Sequence, residues 1–273
     1  MDIHRLQTLD NVDLNLAFLP AEGVPRGTWL FTHGVGGAFY RAPLLTVGQE
    51  LSRRGFNVAL LNNRGHDWMW VNRADGRWLG AAYELIEDAA LDIQAAVDWL
   101  AARGHSRLVL AGHSLGAVKV GYTLAHQRPT EVVAAALCSG PRLPGRPTMA
   151  PGELQAGMAK AEELVAAGRP EELIFLTGRA FSARTYLNKY GKGANTAVLS
   201  CADRFGVPVM FLAGNSSEGY SDAPMLEHAR DLHAALPASG FAEIDGADHM
   251  YGGREPTIAD ALTDWYEALG SAG

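Results

Sequence analysis

The stretch LVLAGHSLGAVKVGY, residues 108–122, runs an apolar segment of strand length into a serine set between glycines, then passes at once into a helical pattern. A backbone that changes from strand to helix within Gly112-His113-Ser114-Leu115-Gly116 has to turn sharply at the serine, and the glycines let the two elements approach closely. This turn suits the end of a buried strand whose following helix packs back on the sheet, so it points to a layered α/β architecture.

The rest of the chain agrees. Residues 3–9 and 12–19 alternate around Asp10-Asn11 and predict an antiparallel hairpin. Apolar runs of strand length follow at 28–32, 57–61, 108–111, 132–138, 207–213 and 241–244, separated by helical patterns at 40–54, 83–103, 115–126, 223–236 and 255–269. Strands alternating with helices make βαβ units, hence a mostly parallel sheet covered on both faces. Within the 273 residues only 141–200 breaks the rhythm, offering two or three helical stretches between Pro/Gly-rich joints and no convincing buried strand. The expected organisation is one core of residues 1–140 and 201–273 with a helical lid insertion, 141–200, over the carboxyl edge of the sheet, where ligands of open α/β sheets bind.

Composition excludes several functions. A net charge of −7 without a basic cluster offers no footprint for nucleic acid. The N-terminal residues lack the cationic start, apolar run and cleavage site of a secretory signal, and no stretch reaches the roughly 18 apolar residues of a membrane span, so a soluble, cytoplasmic chain is expected. Cys138 and Cys201 are too few for a disulfide framework and read as buried reduced thiols. Metal-ligand spacing, a phosphate-binding glycine loop and a flavin fingerprint are all missing, so no cofactor is expected.

A serine hydroxyl needs a base to act as a nucleophile near neutral pH, usually a histidine oriented by a carboxylate. Of the nine histidines, His249 in FAEIDGADHMYGG stands just after the last strand and before the last helix, where a loop brings it to the same sheet edge as Ser114. The carboxylate should follow a strand between them. Residues 207–213 run into GNSSEGYSDAP, which offers Glu218 and Asp222. Asp222 precedes Ala223-Pro224 and reads as the N-cap of the next helix, leaving Glu218 as the expected acid and Asp222 as the alternative; Asp203, Asp245 and Asp248 read as loop or surface groups. An oxyanion hole needs two backbone donors: the N–H of Leu115, after the serine, and that of Val35 or Gly36 in WLFTHGVGGAFY. In that loop His33 reads as a brace.

Together, His33-Gly34-Val35-Gly36-Gly37, Gly112-His113-Ser114-Leu115-Gly116, Glu218 and Asp248-His249 resemble the α/β-hydrolase superfamily of serine hydrolases, and the resemblance spans nearly the whole chain. NNRGHD, residues 62–67, resembles the arginine-glycine turn of many members. The resemblance implies an eight-stranded sheet with a lid after the sixth strand. It also implies acyl transfer, with Ser114, His249 and Glu218 as catalytic residues, and with Leu115 and Val35 as oxyanion donors. Where many members carry the acidic residue this chain has Ser217, with Glu218 one step later. Gly36, Phe39, Trp68 and Tyr186 are candidate substrate contacts, in keeping with a small to medium apolar or aromatic ester or thioester as partner. An acyltransferase, cyclase or carrier-releasing thioesterase would use the same residues; a non-hydrolytic lyase or a ligand-binding receptor on the same fold completes the alternatives.

Overall fold

The structure is a computed structural model that describes residues 1–143, 151–176, 179–191 and 197–271. It opens with the hairpin β1 (Asp2–Gln7) and β2 (Asp13–Leu19), followed by β3 (Thr28–Thr32), α1 (Leu44–Arg53) and β4 (Asn57–Asn62). A small hairpin, β5 (Trp70–Val71) with β6 (Trp78–Leu79), precedes α2 (Ala89–Ala101), β7 (Leu108–His113), α3 (Leu115–His126) and β8 (Val132–Cys138). Next come α4 (Pro151–Ala166), the hairpin β9 (Leu173–Leu176) and β10 (Arg179–Ser182), α5 (Ala183–Tyr190) and a 3-10 turn at Val198–Arg204. The chain ends with β11 (Val209–Gly214), α6 (Ala223–Ala235), β12 (Gly240–Ile244) and α7 (Glu255–Ser271).

Eight strands form one sheet in the order β1-β2-β4-β3-β7-β8-β11-β12. Only the pairs β1/β2 and β2/β4 are antiparallel. Every residue of β3, β4, β7 and β11 is buried, which explains why these strands read as continuous apolar runs rather than alternating ones. Their period of two divides the interior into two cores: Trp29, Phe31, Val58 and Leu60 pack with α1 and α7, whereas Leu30, Ala59, Leu61 and Leu110 pack with α2, α3 and α6. This is the α/β-hydrolase arrangement, a mostly parallel eight-stranded sheet between two helical layers.

Three local expectations need correction. Helix α1 begins at Leu44, not at residue 40, because Pro43 disfavours helical backbone before it. Helix α2 begins at Ala89, not at residue 83; Glu84 is instead turned inward to two lysines, and a charged side chain recruited by the core overrides helical periodicity. The inserted segment, expected without strands, contains β9 and β10, four residues each, too short for a periodic signal. Residues 144–150, 177–178 and 192–196 of the expected lid lie outside the described residues.

Candidate active site

Parallel register brings the site together. Thr32 pairs with Gly112, His113 with Cys138, and Gly214 with Ile244, so the loops leaving β3, β7, β11 and β12 emerge side by side from one sheet edge. Ser114 sits between β7 and α3 at φ 57° and ψ −127°, a conformation a non-glycine residue adopts only when its surroundings impose it. A Cβ on Gly116 would lie 2.3 Å from the Thr32 carbonyl oxygen, and one on Gly112 only 2.2 Å from the Gly116 oxygen. The glycines are therefore required by backbone contact on both sides of the serine.

His249 lies 3.0 Å through Nε2 from Ser114 Oγ, and 2.7 Å through Nδ1 from Asp222 Oδ1. An ionised carboxylate only accepts, so Nδ1–H donates to Asp222, which leaves Nε2 bare to receive the serine proton. Asp222 is fully buried. Its second oxygen accepts the Gly214 N–H at 2.7 Å and the Ser139 hydroxyl at 2.5 Å, and Tyr251 O–H donates in turn to Ser139 at 2.5 Å. Ser139 and Tyr251, like Ser114, have positive φ, so three strained residues surround this chain of hydrogen bonds.

Glu218, the expected acid, does not reach His249. It is exposed in the loop after β11, where its own N–H bonds to Ser216 Oγ, and the residue at the imidazole is Asp222. Asp222 is indeed the N-cap of α6, but its side chain makes no cap hydrogen bond. Pro224 occupies the second helical position and lacks an N–H, while Ser221 Oγ accepts from Ala223 N–H, so the helix start is served without the carboxylate. Pro224, two residues after Asp222, is the signal in the sequence that the carboxylate is free. The loop also bends back, with His249 N–H donating to the Tyr220 carbonyl and Gly214 N–H, at the end of β11, donating to Asp222. Asp248 braces its own turn through the Met250 N–H, Asp245 meets Asn215, and Asp203 is exposed.

A cavity of about 170 Å³ opens over Ser114; its wall includes His33, Val35, Ala38, Leu44, Leu115, Tyr220, Met225 and His249. Val35 and Leu115 thus share it with the serine, and Leu115 N–H belongs to the first helical turn, whose donors have no intrahelical partner. The four candidate substrate contacts are not on this wall. Phe39 is buried beside Tyr40, Trp68 packs on Phe181 with its ring against Gly36, and Tyr186 is buried against Tyr190. Their neighbours Val35, Gly37, Ala38 and Tyr190 face the cavity instead. In a loop or helix, sequence proximity to the site does not say which side chain points inward.

His33 donates Nδ1–H to the Gly34 carbonyl, and His113 donates Nε2–H to the His249 carbonyl. Burial, assisted by Lys119 for His33 and by His249 for His113, pulls each imidazole from 6.5 down to about 3. The unfolded chain therefore binds protons that the folded chain refuses between those values. Stability is complete above pH 6.5 and falls as pH drops toward 3, by up to about 1.4 kcal/mol per pH unit for each histidine. Urea unfolding between about pH 7.5 and 5 should show this decline, with a shallower slope in His113→Gln. Arg64 of the NNRGHD turn is buried on Asp92 and Asp10, a structural role.

Strand order and the strained serine before α3 define an α/β-hydrolase. Residues 23–172, over half the chain, match the family described as serine aminopeptidase, S33, and the chain belongs to that family. Among solved structures it is similar to Est1E from Butyrivibrio proteoclasticus with ferulic acid bound, at TM-score 0.70 and 18% identity over 96% of this chain and 98% of that one. DcsB in complex with its substrate analogue gives TM-score 0.74 at 14% identity over 98% of both chains. The α/β hydrolase GrgF from Penicillium sp. sh18 gives 0.71 at 16% over 96% of both. A search of curated protein sequences finds no match.

Proposed function

We propose that the protein is a serine hydrolase that cleaves a small carboxylic ester or thioester through an acyl-enzyme on Ser114. The observation that carries this reading is the unbroken series Ser114 Oγ, His249 Nε2, His249 Nδ1, Asp222 Oδ1, at 3.0 and 2.7 Å, opening on the cavity. As Oγ attacks the substrate carbonyl, His249 Nε2 takes its proton and Asp222 stabilises the imidazolium. The N–H groups of Leu115 and Val35 hold the oxyanion. His249 then protonates the departing alcohol or thiol, and a water deprotonated by the same nitrogen releases the acid.

The family description mentions aminopeptidases, but the cavity wall argues against a peptide amino terminus. Among the described residues it has no carboxylate to hold an ammonium group. The segment 141–200 serves in this reading as the lid of the 1–140 and 201–273 core, since Pro141, Leu143, Arg179, Lys189 and Tyr190 contribute to the cavity wall. Ester-cleaving and ferulate-bound neighbours on the same fold support an ester substrate.

A fluorophosphonate probe should label the native protein at Ser114, located by peptide mass spectrometry, and a panel of short-chain esters and thioesters should be hydrolysed. Intact protein that takes no label and turns over no ester would refute the proposal.

A further inference from the structure

Among the described residues, the cavity wall carries two cations, Arg179 and Lys189, and no carboxylate. Lys119 and Lys189, both buried, share one carboxylate: Glu84 Oε2 lies 2.6 Å from Lys119 Nζ, and Glu84 Oε1 lies 2.9 Å from Lys189 Nζ. Burial works to raise the Glu84 carboxyl, yet the two ammonium groups beside it prevail and hold it below its ordinary range. Lys119 also donates to Asn63 Oδ1, and Lys189 to the Ala81 carbonyl. Lys189 reaches the cavity.

Arg179, the first residue of β10, lines the same cavity close enough to Lys189 for the two cations to repel. It is half-buried, and no hydrogen bond or ion pair joins its side chain to any described residue. This sets it apart from Arg142, Arg169, Arg184 and Arg230, each of which is paired with a carboxylate although it is more exposed. The histidines of the wall do not offset the charge, and neither Glu218 nor Asp248 belongs to the wall. A half-buried guanidinium beside Lys189, in a cavity wall that has no carboxylate among the described residues, is a receptor for an anion.

We infer that Arg179 is a specificity-determining residue that pairs with a carboxylate carried by the substrate, so that the preferred substrates are esters or thioesters with an anionic acyl or alcohol part. This deepens the ester-cleaving reading and rests on it. Lys189 stands at the same wall as a second cation, and the apolar side chains of Leu44, Leu143 and Met225 receive the uncharged portion. No covalent step is added; the pairing acts on binding and so mainly on KM.

The test uses matched esters. Umbelliferyl hexanoate and umbelliferyl monoadipate differ by a carboxylate at the acyl end; the butyrates of methyl para-hydroxybenzoate and of para-hydroxybenzoate differ by one on the alcohol. Wild type should favour the anionic member of one pair by roughly tenfold or more in kcat/KM. In Arg179→Gln that ratio should collapse through KM, and Arg179→Lys, which keeps charge without the planar fork, should fall between. Dissociation constants of the same esters on Ser114→Ala and Ser114→Ala/Arg179→Gln read the anion preference without turnover, so failure of ester cleavage and failure of the anion site are seen separately. Equal use and equal binding of neutral and anionic members in both pairs, or a preference that survives Arg179→Gln in correctly melting protein, would overturn the inference.

Discussion

Ser114→Ala should lower kcat for any ester substrate by about four to six orders of magnitude while leaving the thermal melt close to wild type. The hydroxyl at the turn lies 3.0 Å from His249 Nε2, and its removal leaves no atom there to form the acyl bond. What remains comes from the cavity and backbone donors alone, which explains why some acceleration over water should persist. Backbone strain at φ 57° stays in the alanine variant, since the turn is imposed by close contacts at Gly112 and Gly116 rather than by the hydroxyl. Stopped assays with the purified variant, read against probe labelling, measure this effect; turnover within tenfold of wild type in pure variant protein would refute the role of Ser114.

The second large effect separates two carboxylates four residues apart. Asp222→Asn should reduce kcat by about four orders of magnitude, because an amide can offer its NH2 to Nδ1 and so hold the imidazole in the tautomer whose Nε2 already carries a proton. Asp222 is also the acceptor for the Gly214 N–H and the Ser139 hydroxyl, so the same change should lower the unfolding midpoint. Glu218→Gln should alter kcat by no more than about twofold, as expected for a substitution on an exposed loop away from any network. Steady-state kinetics on the two variants decide between them, and the reverse ranking would restore Glu218 as the acid.

The mis-assignment of that acid shows how sequence logic stops short. Placing Asp222 at a helix N-cap is correct for the backbone, but an N-cap residue is free to aim its side chain elsewhere when Pro224 offers no N–H and the other first-turn donors are taken by Ser221 Oγ and the Asp222 carbonyl. The same limit explains the substrate contacts. Phe39, Trp68 and Tyr186 are aromatic and near the site along the chain, yet each is turned away from the cavity, packed on another ring. The buried Glu84 between two lysines has no signature in the sequence, since Lys119 lies on α3, Lys189 on α5 and Glu84 just before α2.

The sequence by itself determined the layered sheet, the place of the serine turn and the histidine after the last strand. These depend on period, on apolar runs and on chain order, which are local or nearly so. Only the tertiary structure decided which carboxylate meets His249, which side chains face the cavity and that Arg179 and Lys189 stand together in its wall. Each of those is a relation between residues distant along the chain, set by the register of parallel strands and by where each loop bends back, and in a loop no linear period encodes the direction in which a side chain leaves its backbone.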